Sequence, residues 1–346
     1  MKRCVMVTGC CGNIGTHVVD ALLLRGYTVR GVDLPTTRNR ETASRWDESM
    51  EMRFGSICDE RHLRQAMTDV DDVIHLAAIV PPATDVDQAL GYSVNVLGTK
   101  TVIASCEAQS SPPRLTFTST AAIWGDNDEG DEPRRADEPI CPSDNYTRQK
   151  AECEELLRAS ALDSVVFRIA MTPPVTLTAI SPFVFDMHPD LKVEFTHPRD
   201  QALGIINSLV LHDEVVGRTL LLGGGERNRY RYREWLNLVF TSMGLPSIPR
   251  SAFGDALFLT DWVDSEASQA ILDYQRHTLD DYLEEIRQEL GPMRHVVSRM
   301  GPALVPAILA YSRHQAMATG KNPTVPNMLR AITTLRRGLE AAKSYL

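Results

Sequence analysis

Short apolar runs alternate with longer amphipathic stretches through the first half of the chain. Residues 4–8, 28–33, 73–76 and 115–119 are rich in β-branched and other apolar side chains, whereas residues 14–25 repeat their apolar positions at helical spacing. Strands that are apolar through most of their length are typical of a sheet buried on both faces. The alternation therefore predicts an α/β fold, a doubly wound parallel sheet with helices on both sides.

The pattern changes in the second half. Residues 171–190 contain several prolines and show no clear period. Residues 200–214 predict one further helix, and residues 218–226 predict a strand that ends on three glycines. From residue 232 onward the chain has helical periodicity interrupted by prolines.

These changes divide the chain into two predicted domains. The first comprises residues 1–170, which residues 199–225 rejoin through the added helix and strand. The second, residues 171–346, is smaller and mostly helical.

Composition narrows the classes of function. The 346 residues are 43% hydrophobic and 23% charged, with a net charge of −9, so a sizeable core can form. This charge gives no sequence-wide basic surface to neutralise a phosphate backbone, and we find no local basic patch in the sequence, which argues against nucleic acid as a partner. The most apolar stretch near the end, residues 302–311, is shorter than the roughly 18 to 20 residues of a membrane span. We expect no membrane span.

The seven cysteines are odd in number and scattered, without a CxxC or Cys/His cluster. This usage favours reduced thiols and a cytoplasmic protein over a disulfide framework, and we expect no structural metal. The chain passes from Met1 directly into the first strand pattern without the apolar core of a signal peptide. We therefore expect a mature terminus.

A glycine-rich loop, "TGCCGNIG", follows the first predicted strand and opens the first predicted helix. It contains Gly9, Gly12, Asn13, Ile14 and Gly15. Such a loop lets the backbone approach a pyrophosphate, and the helix N-terminus offers N–H groups and a positive dipole end to that charge. Three glycines also suit a tight turn that binds nothing, but the strand before them and the helix after them favour a dinucleotide site.

An acid ends the second predicted strand. Asp33 lies 18 residues beyond Gly15, near the spacing at which a carboxylate accepts hydrogen bonds from an adenosine ribose. A 2′-phosphate there would be repelled, so NAD is favoured over NADP. Arg38 and Arg40 keep NADP open, because a flexible arginine could bind that phosphate. A surface or helix-capping role for Asp33 is the alternative.

Five motifs occur together in a familiar order: "TGCCGNIG", "VIHLAA", "NVLGT", "FTSTAAIWG" and "YTRQK". The chain thereby resembles the extended short-chain dehydrogenases/reductases of the epimerase/dehydratase type, over roughly residues 1 to 225. The resemblance implies a Rossmann domain that binds NAD in residues 1–170 and a substrate-binding domain in residues 171–346. It also implies a homodimer formed through the helices near 92–107 and 146–159.

Tyr146 and Lys150 are the central catalytic candidates. Residues i and i+4 share a helix face, so both side chains can reach one site. The pKa of a tyrosine is ordinarily about 10, and an ammonium group together with the positive nicotinamide would favour the phenolate. Tyr146 would then act as acid and base, and Lys150 would also bind the nicotinamide ribose. A solvated helix face is the alternative for an isolated pair of this kind.

The resemblance assigns further roles. Thr120 would donate to the substrate oxygen, with Ser119 as second choice, and Asn95 would steady the site. Leu76, Ala77 and Ala78 match the turn that lines the cofactor. In the place of the usual adenine-binding acid stands Ser56, so the adenine contact is either weaker or made by Ser56 and the backbone of Ile57.

Two departures from the family bear on the substrate. Nucleotide-sugar members tend to have asparagine near Met171 and an arginine where this chain has Val193. A diphosphate requires such donors, so we predict an uncharged, apolar small molecule, interconverted between secondary alcohol and ketone. A nucleotide-sugar epimerase or dehydratase that retains NAD is the first alternative. A dinucleotide-binding redox regulator without turnover is the second.

Overall fold

The structure of the protein is a computed structural model. It describes residues 3–125, 130–175, 182–257 and 260–309. The predicted helical pattern beyond residue 309 lies outside the described residues. In the part of the chain that is described, no helix is both long and apolar enough to cross a membrane.

Seven parallel strands form the main sheet, in the order β3-β2-β1-β4-β5-β6-β8. The strands are β1 (Cys4–Thr8), β2 (Thr28–Asp33), β3 (Glu51–Phe54), β4 (Asp72–His75), β5 (Arg114–Thr120), β6 (Ser164–Ile169) and β8 (Thr219–Leu222). A separate pair consists of β7 (Lys192–Glu194) and β9 (Arg229–Arg231). The predicted doubly wound parallel sheet is confirmed.

Helices connect the strands and continue to the end of the described chain. They are α1 (Asn13–Leu24), α2 (Thr37–Ala43), α3 (Glu60–Ala66), α4 (Ala83–Val86), α5 (Gln88–Tyr92), α6 (Gly98–Glu107), α7 (Asn145–Ala159), α8 (Pro198–Asn207), α9 (His212–Val215), α10 (Tyr232–Ser242), α11 (Glu266–Leu272), α12 (Leu279–Leu290) and α13 (Met293–Leu309). A π-helical turn, Ser93–Leu97, joins α5 to α6.

The sheet is buried on both faces because successive strand residues point in opposite directions. Val5 and Val7 of β1 pack into one core with helices α1 and α8. Met6, between them, packs into a second core with helices α3, α6 and α7. This placement explains why the strands are apolar almost throughout.

The helix predicted over 200–214 is interrupted in the structure. Helix α8 ends at Asn207, and Ser208–Val210 forms a tighter 3₁₀ turn before α9. The Ser208 hydroxyl donates to the Ile205 carbonyl at 2.6 Å. A side chain that bonds its own backbone in this way offers an alternative to the helical ladder, so the periodic pattern extends further than the helix.

The chain forms two compact units. The first contains the main sheet and comprises Met1–Pro173, Glu194–Arg229 and Leu259–Thr278. The second comprises Pro174–Val193, Tyr230–Phe258 and Leu279–Leu346. The segment Leu259–Thr278 thus lies with the sheet, although its sequence pattern placed it in the C-terminal domain. The roles predicted for the two domains stay predictions.

Aromatic packing holds the second unit together. Phe185 makes edge contacts with Phe240 and Phe253, with ring centroids 6.5 and 6.3 Å apart. Tyr232, at the start of α10, also packs against Phe253. Its buried hydroxyl donates to the Val184 carbonyl at 2.9 Å, so the polar end of the ring is satisfied.

Candidate active site

The glycine loop between β1 and α1 is held tightly by its own backbone. Gly9 has φ +70°, and a Cβ there would lie 2.8 Å from the backbone of Ala77. A Cβ on Gly15 would lie 2.1 Å from the carbonyl oxygen of Gly9, and one on Gly12 would lie 3.2 Å from the same oxygen. The fold therefore requires glycine at 9 and 15, whatever the loop binds.

Replacing Gly9 with alanine should destabilise the loop by about 2–4 kcal/mol, since a left-handed backbone and a backbone clash add together. Urea unfolding measures this loss. Gly26→Ala is the matched control, because Gly26 has φ +78° but nothing within 4 Å of its Cβ position. That control should cost only about 1 kcal/mol. Equal losses in the two variants would contradict the steric account.

The N-terminus of α1 fits a pyrophosphate. Its N-cap, Gly12, is extended and provides no side-chain cap, and the first turn contains no acidic residue. The N–H groups of that turn can therefore serve an anion. The Asn13 amide donates to the Thr172 carbonyl at 2.9 Å, which ties the loop to the segment after β6. Ile14 packs against the core.

Asp33 is fixed at the end of β2. Its carboxylate accepts hydrogen bonds from the backbone N–H groups of Cys11 (3.0 Å) and Leu34 (2.8 Å) and from the Asn39 amide (2.9 Å). A carboxylate offers about four acceptor positions, so about one remains for a ribose hydroxyl. The Arg40 guanidinium lies 4.6 Å from the centre of the Phe54 ring, and Arg38 is exposed.

The predicted adenine and cofactor-turn residues lie at the ends of β3 and β4. The Ser56 hydroxyl accepts from the Cys58 N–H at 3.1 Å, and Ile57 is buried. Leu76, Ala77 and Ala78 follow β4 and are half-buried. The Ala77 N–H donates to the Thr8 hydroxyl at 3.3 Å, so this turn is anchored to the end of β1.

Tyr146 and Lys150 lie one turn apart at the start of α7. Asp144 and Thr147 form a capping box: the Thr147 N–H donates to the Asp144 carboxylate at 2.7 Å, and the Asp144 N–H donates to the Thr147 hydroxyl at 3.2 Å. This box fixes where the helix begins. The Lys150 Nζ donates to the Thr118 carbonyl at 2.8 Å and lies 5.8 Å from the centre of the Tyr146 ring.

Burial dominates the electrostatics of this pair. It lowers the pKa of Lys150 from 10.5 to about 8, because the ammonium has been removed from water. Burial also raises the pKa of Tyr146, and the Asp144 carboxylate adds to that rise. The residues of the chain thus shift the tyrosine away from the phenolate, whereas we expected the lysine to favour it.

The hydroxyl cluster lies at the end of β5. Thr120 Oγ1 accepts from the Ala122 N–H at 3.1 Å, so its own proton stays available for donation. Ser119 Oγ is buried and makes no hydrogen bond in the described structure. Adjacent strand residues point to opposite faces, so at most one of these two hydroxyls can donate to a given substrate oxygen.

Asn95 lies in the π-helical turn and connects two parts of the site. Its Oδ1 accepts from the Ile79 N–H at 2.8 Å, and its Nδ2 donates to the Ile79 carbonyl at 2.9 Å and to Gln149 Oε1 at 2.7 Å. Gln149 immediately precedes Lys150. The Asn95 side chain therefore fixes the turn after β4 against the helix that presents the tyrosine and the lysine.

Sequence reasoning missed the role of His75. This residue is fully buried, with Nδ1 2.7 Å from the Thr8 hydroxyl and Nε2 3.0 Å from the Thr99 hydroxyl. Thr99 donates its proton to the Asn95 carbonyl at 2.6 Å, so it must accept from Nε2–H of the imidazole. Thr8 then donates to Nδ1 and accepts from the Ala77 N–H. A histidine inside the apolar run predicted at 73–76 was the available signal.

This network makes stability depend on pH. Burial lowers the pKa of His75 from 6.5 to about 3, so between those values the unfolded chain binds a proton that the folded chain does not. The contribution of neutral, buried His75 to the free energy of unfolding is therefore fully present above pH 6.5 and is lost as the pH falls toward 3. We expect His75 to contribute about 2 kcal/mol to the loss between pH 7 and pH 5.

Denaturant unfolding of His75→Gln at the two pH values measures that share. The difference between pH 7 and pH 5 should shrink by about 2 kcal/mol relative to the unmodified protein. His295→Gln, at an exposed position, is the control and should leave the difference unchanged. If both variants keep the full difference, His75 is not the group responsible.

Together, a seven-stranded parallel sheet, a glycine loop after β1 and a Tyr–Lys pair on the helix after β5 define the class of extended short-chain dehydrogenases/reductases. The profile of the NAD dependent epimerase/dehydratase family matches residues 5–180, about half of the chain. The chain belongs to this family. Membership confirms the predicted family, the enzyme class and NAD as the cofactor.

Curated relatives share parts of the chain. Sterol-4-alpha-carboxylate 3-dehydrogenase, decarboxylating, of Bos taurus is 33% identical over 122 residues, which are 35% of this chain and 31% of that protein. The chain thus matches about a third of the length of the mammalian sterol dehydrogenases. D-erythronate dehydrogenase of Cupriavidus necator is 28% identical over 244 residues, 62% of this chain and 74% of that protein.

Solved structures share the fold. A short-chain dehydrogenase/reductase superfamily protein from Agrobacterium tumefaciens with bound NAD superposes with a TM-score of 0.68 at 24% identity, over 86% of this chain and 99% of that one. UDP-glucuronic acid 4-epimerase from Bacillus cereus gives a TM-score of 0.71 at 19% identity, over 83% and 98%. At these identities the likeness concerns the fold alone.

Proposed function

We propose that this protein is an NAD-dependent oxidoreductase that interconverts a secondary alcohol and a ketone on an apolar small molecule. The observation that carries the proposal is the placement of Lys150. Its buried Nζ is held by the Thr118 carbonyl beside the Tyr146 ring, at the carboxyl end of β5. Open α/β sheets bind their ligands at that end of the strands. A buried ammonium is unfavourable for folding, and we infer that it is retained here for its chemistry.

Each group has a proposed role. NAD, when bound, supplies the acceptor or donor of a hydride. Tyr146 gives a proton to, or takes it from, the substrate oxygen. Thr120 donates a hydrogen bond from its hydroxyl to the substrate oxygen, and Ser119 is the second choice for this role. Lys150 would bring a positive charge near the phenol, which in general favours the phenolate, while burial and the Asp144 carboxylate oppose it by raising the pKa of Tyr146.

The cofactor contacts are proposed from the same geometry. The pyrophosphate would bind to the N–H groups at Asn13 and Ile14, where α1 has no side-chain cap. Asp33 would take one ribose hydroxyl with its remaining acceptor position. We assign the adenine to Ser56 and Ile57, with Leu76, Ala77 and Ala78 along the cofactor. Arg38 would matter only for a 2′-phosphate.

The preference for an apolar substrate rests on the departures from nucleotide-sugar enzymes. Val193 stands where those enzymes tend to have an arginine, and it is fully buried in β7. A diphosphate needs charged donors. Two curated relatives, the sterol and erythronate enzymes, are dehydrogenases by name, which supports net oxidation or reduction. We assign substrate binding to the second unit.

A nucleotide-sugar epimerase is the second candidate, favoured by a relative named UDP-glucose 4-epimerase from Azospirillum brasilense, 32% identical over 171 residues. Nicotinamide absorbance separates the two candidates. We expect net NADH turnover with apolar secondary alcohols or ketones and no conversion of UDP-sugars. Conversion of a UDP-sugar without net NADH turnover would instead establish the epimerase.

We also propose a homodimer formed through α5, α6 and α7. Tyr92 is 42% exposed, and its hydroxyl donates to Glu152 on α7 at 2.9 Å. Leu90 and Leu97, on the same part of the chain, are about half exposed at 51% and 47%. Light scattering on the eluting protein tests this. A monomer at micromolar concentration would refute the dimer.

A further inference from the structure

The cofactor loop contains two adjacent thiols that the proposed chemistry does not use. Cys10 Sγ and Cys11 Sγ lie 3.9 Å apart. With a carboxylate oxygen of Asp33 they form a group in which all ligand atoms lie within 4.8 Å of one another. The Cys11 N–H already donates to that carboxylate at 3.0 Å, so the loop backbone orients the acid toward the thiols.

The spacing suits a metal better than a disulfide. Adjacent Cα atoms are about 3.8 Å apart, closer than the roughly 4.4–6.8 Å that an unstrained disulfide spans. A tetrahedral zinc ion with Zn–S bonds of about 2.3 Å holds two sulfurs about 3.8 Å apart. The observed 3.9 Å is close to that separation, so a metal ion could bridge the thiols with little movement of either side chain.

We propose that Cys10, Cys11 and Asp33 form a binding site for a thiophilic divalent cation, Zn²⁺ or Cd²⁺, and that its occupation excludes NAD. Two S–H groups release their protons to solvent, and two metal–sulfur bonds and one metal–oxygen bond form. No oxidation takes place. A solvent water completes the tetrahedron. The ion would enter from the side of the half-buried Asp33, because Cys10 is fully buried and Cys11 is only 7% exposed.

Exclusion of the cofactor follows from the shared carboxylate. Asp33 already accepts three hydrogen bonds, which leaves about one acceptor position. A metal–oxygen bond would take the position that a ribose hydroxyl needs. The two ligands then compete, and each weakens the binding of the other by the same factor.

Titration with Cd²⁺ tests the site, because cadmium–thiolate bonds have a charge-transfer absorbance in the ultraviolet. The host protein is Cys58→Ser/Cys141→Ser, which lacks the two exposed thiols. We expect one Cd²⁺ per chain in this host. Cys11→Ser and, separately, Cys10→Ser should each weaken Cd²⁺ binding about tenfold or more, as should Asp33→Asn to a smaller degree.

Competition is measured in the same host by repeating the titration with saturating NAD. The apparent Cd²⁺ affinity should fall, and the affinity for NAD should fall equally when Cd²⁺ is present. Absence of the absorbance in the host, or its survival in Cys11→Ser, would overturn the site. Unchanged Cd²⁺ affinity with NAD present would overturn the exclusion.

Circular dichroism shows whether the variants fold. If Cys10→Ser does not fold because its side chain lies in the core, Cys11→Ser decides alone. The absorbance does not depend on turnover, so a failure of the proposed oxidoreductase activity leaves this test intact.

Discussion

Replacing Tyr146 with phenylalanine should lower kcat by about 10²–10⁴-fold, the usual contribution of a positioned general acid–base. The variant removes only the phenolic hydroxyl. The ring, which lies half-buried beside Lys150, stays in place. NAD affinity should therefore change little. Steady-state kinetics with a verified alcohol or ketone measure the rate, and fluorescence quenching measures the cofactor affinity.

Tyr27→Phe is the matched control for this experiment. It also removes only a hydroxyl, and Tyr27 packs against the core immediately before β2, at the amino end of the strand and away from the site. We expect its kcat to remain within about twofold of the unmodified protein. Full turnover by Tyr146→Phe would remove the tyrosine from the mechanism, and with it the assignment of Lys150 and Thr120.

Replacing Lys150 with methionine should abolish turnover and stabilise the fold at once. Burial lowers the pKa of Lys150 from 10.5 to about 8, which corresponds to about 3 kcal/mol against the charged form at pH 7. Methionine removes that cost but loses the hydrogen bond to the Thr118 carbonyl, worth about 1 kcal/mol. We expect a net gain of about 1–2 kcal/mol in the free energy of unfolding, measured in urea at pH 7.

The pH dependence of stability is a second test of the buried ammonium. Between pH 8 and 10.5 the unfolded chain keeps a proton on Lys150 that the folded chain releases, so the contribution of this residue to stability rises with pH. Lys150→Met should lose that slope. Lys100→Met, at an exposed position on α6, should keep it and change stability by less than about 0.5 kcal/mol. A less stable Lys150→Met with the slope intact would show that the ammonium is not buried at a cost.

A gain in stability together with a loss of turnover in Lys150→Met would have one physical cause, the burial of the ammonium. A charge held away from water is unfavourable for folding. It is useful for chemistry because the low dielectric around it strengthens its interaction with a charge that forms nearby. Stability given up at a site in this way is a common property of enzymes. The two variants thus test the same arrangement from opposite ends of the Tyr146–Lys150 pair.

Much of the fold could be predicted because its determinants are local. The run at 4–8 is a strand at those bounds, and the helix expected over 14–25 is found at Asn13–Leu24. Period and turn chemistry act over a few residues, so they can be seen in the chain itself. The prediction of one continuous helix over 200–214 was wrong for a local reason as well, since the Ser208 hydroxyl donates to the Ile205 carbonyl of the helix backbone.

The sequence by itself determined the glycine loop, the acid at the end of β2 and the one-turn spacing of Tyr146 and Lys150, because each depends on short-range order along the chain. Only the tertiary structure decided their electrostatics and their partners. His75 connects residues that are 67 and 24 positions away, and Asn95 reaches Gln149 across 54. Burial, which raises the pKa of Tyr146 and lowers that of Lys150, is created by side chains from distant segments. No local pattern encodes that removal from water, because it exists only once the segments have packed together.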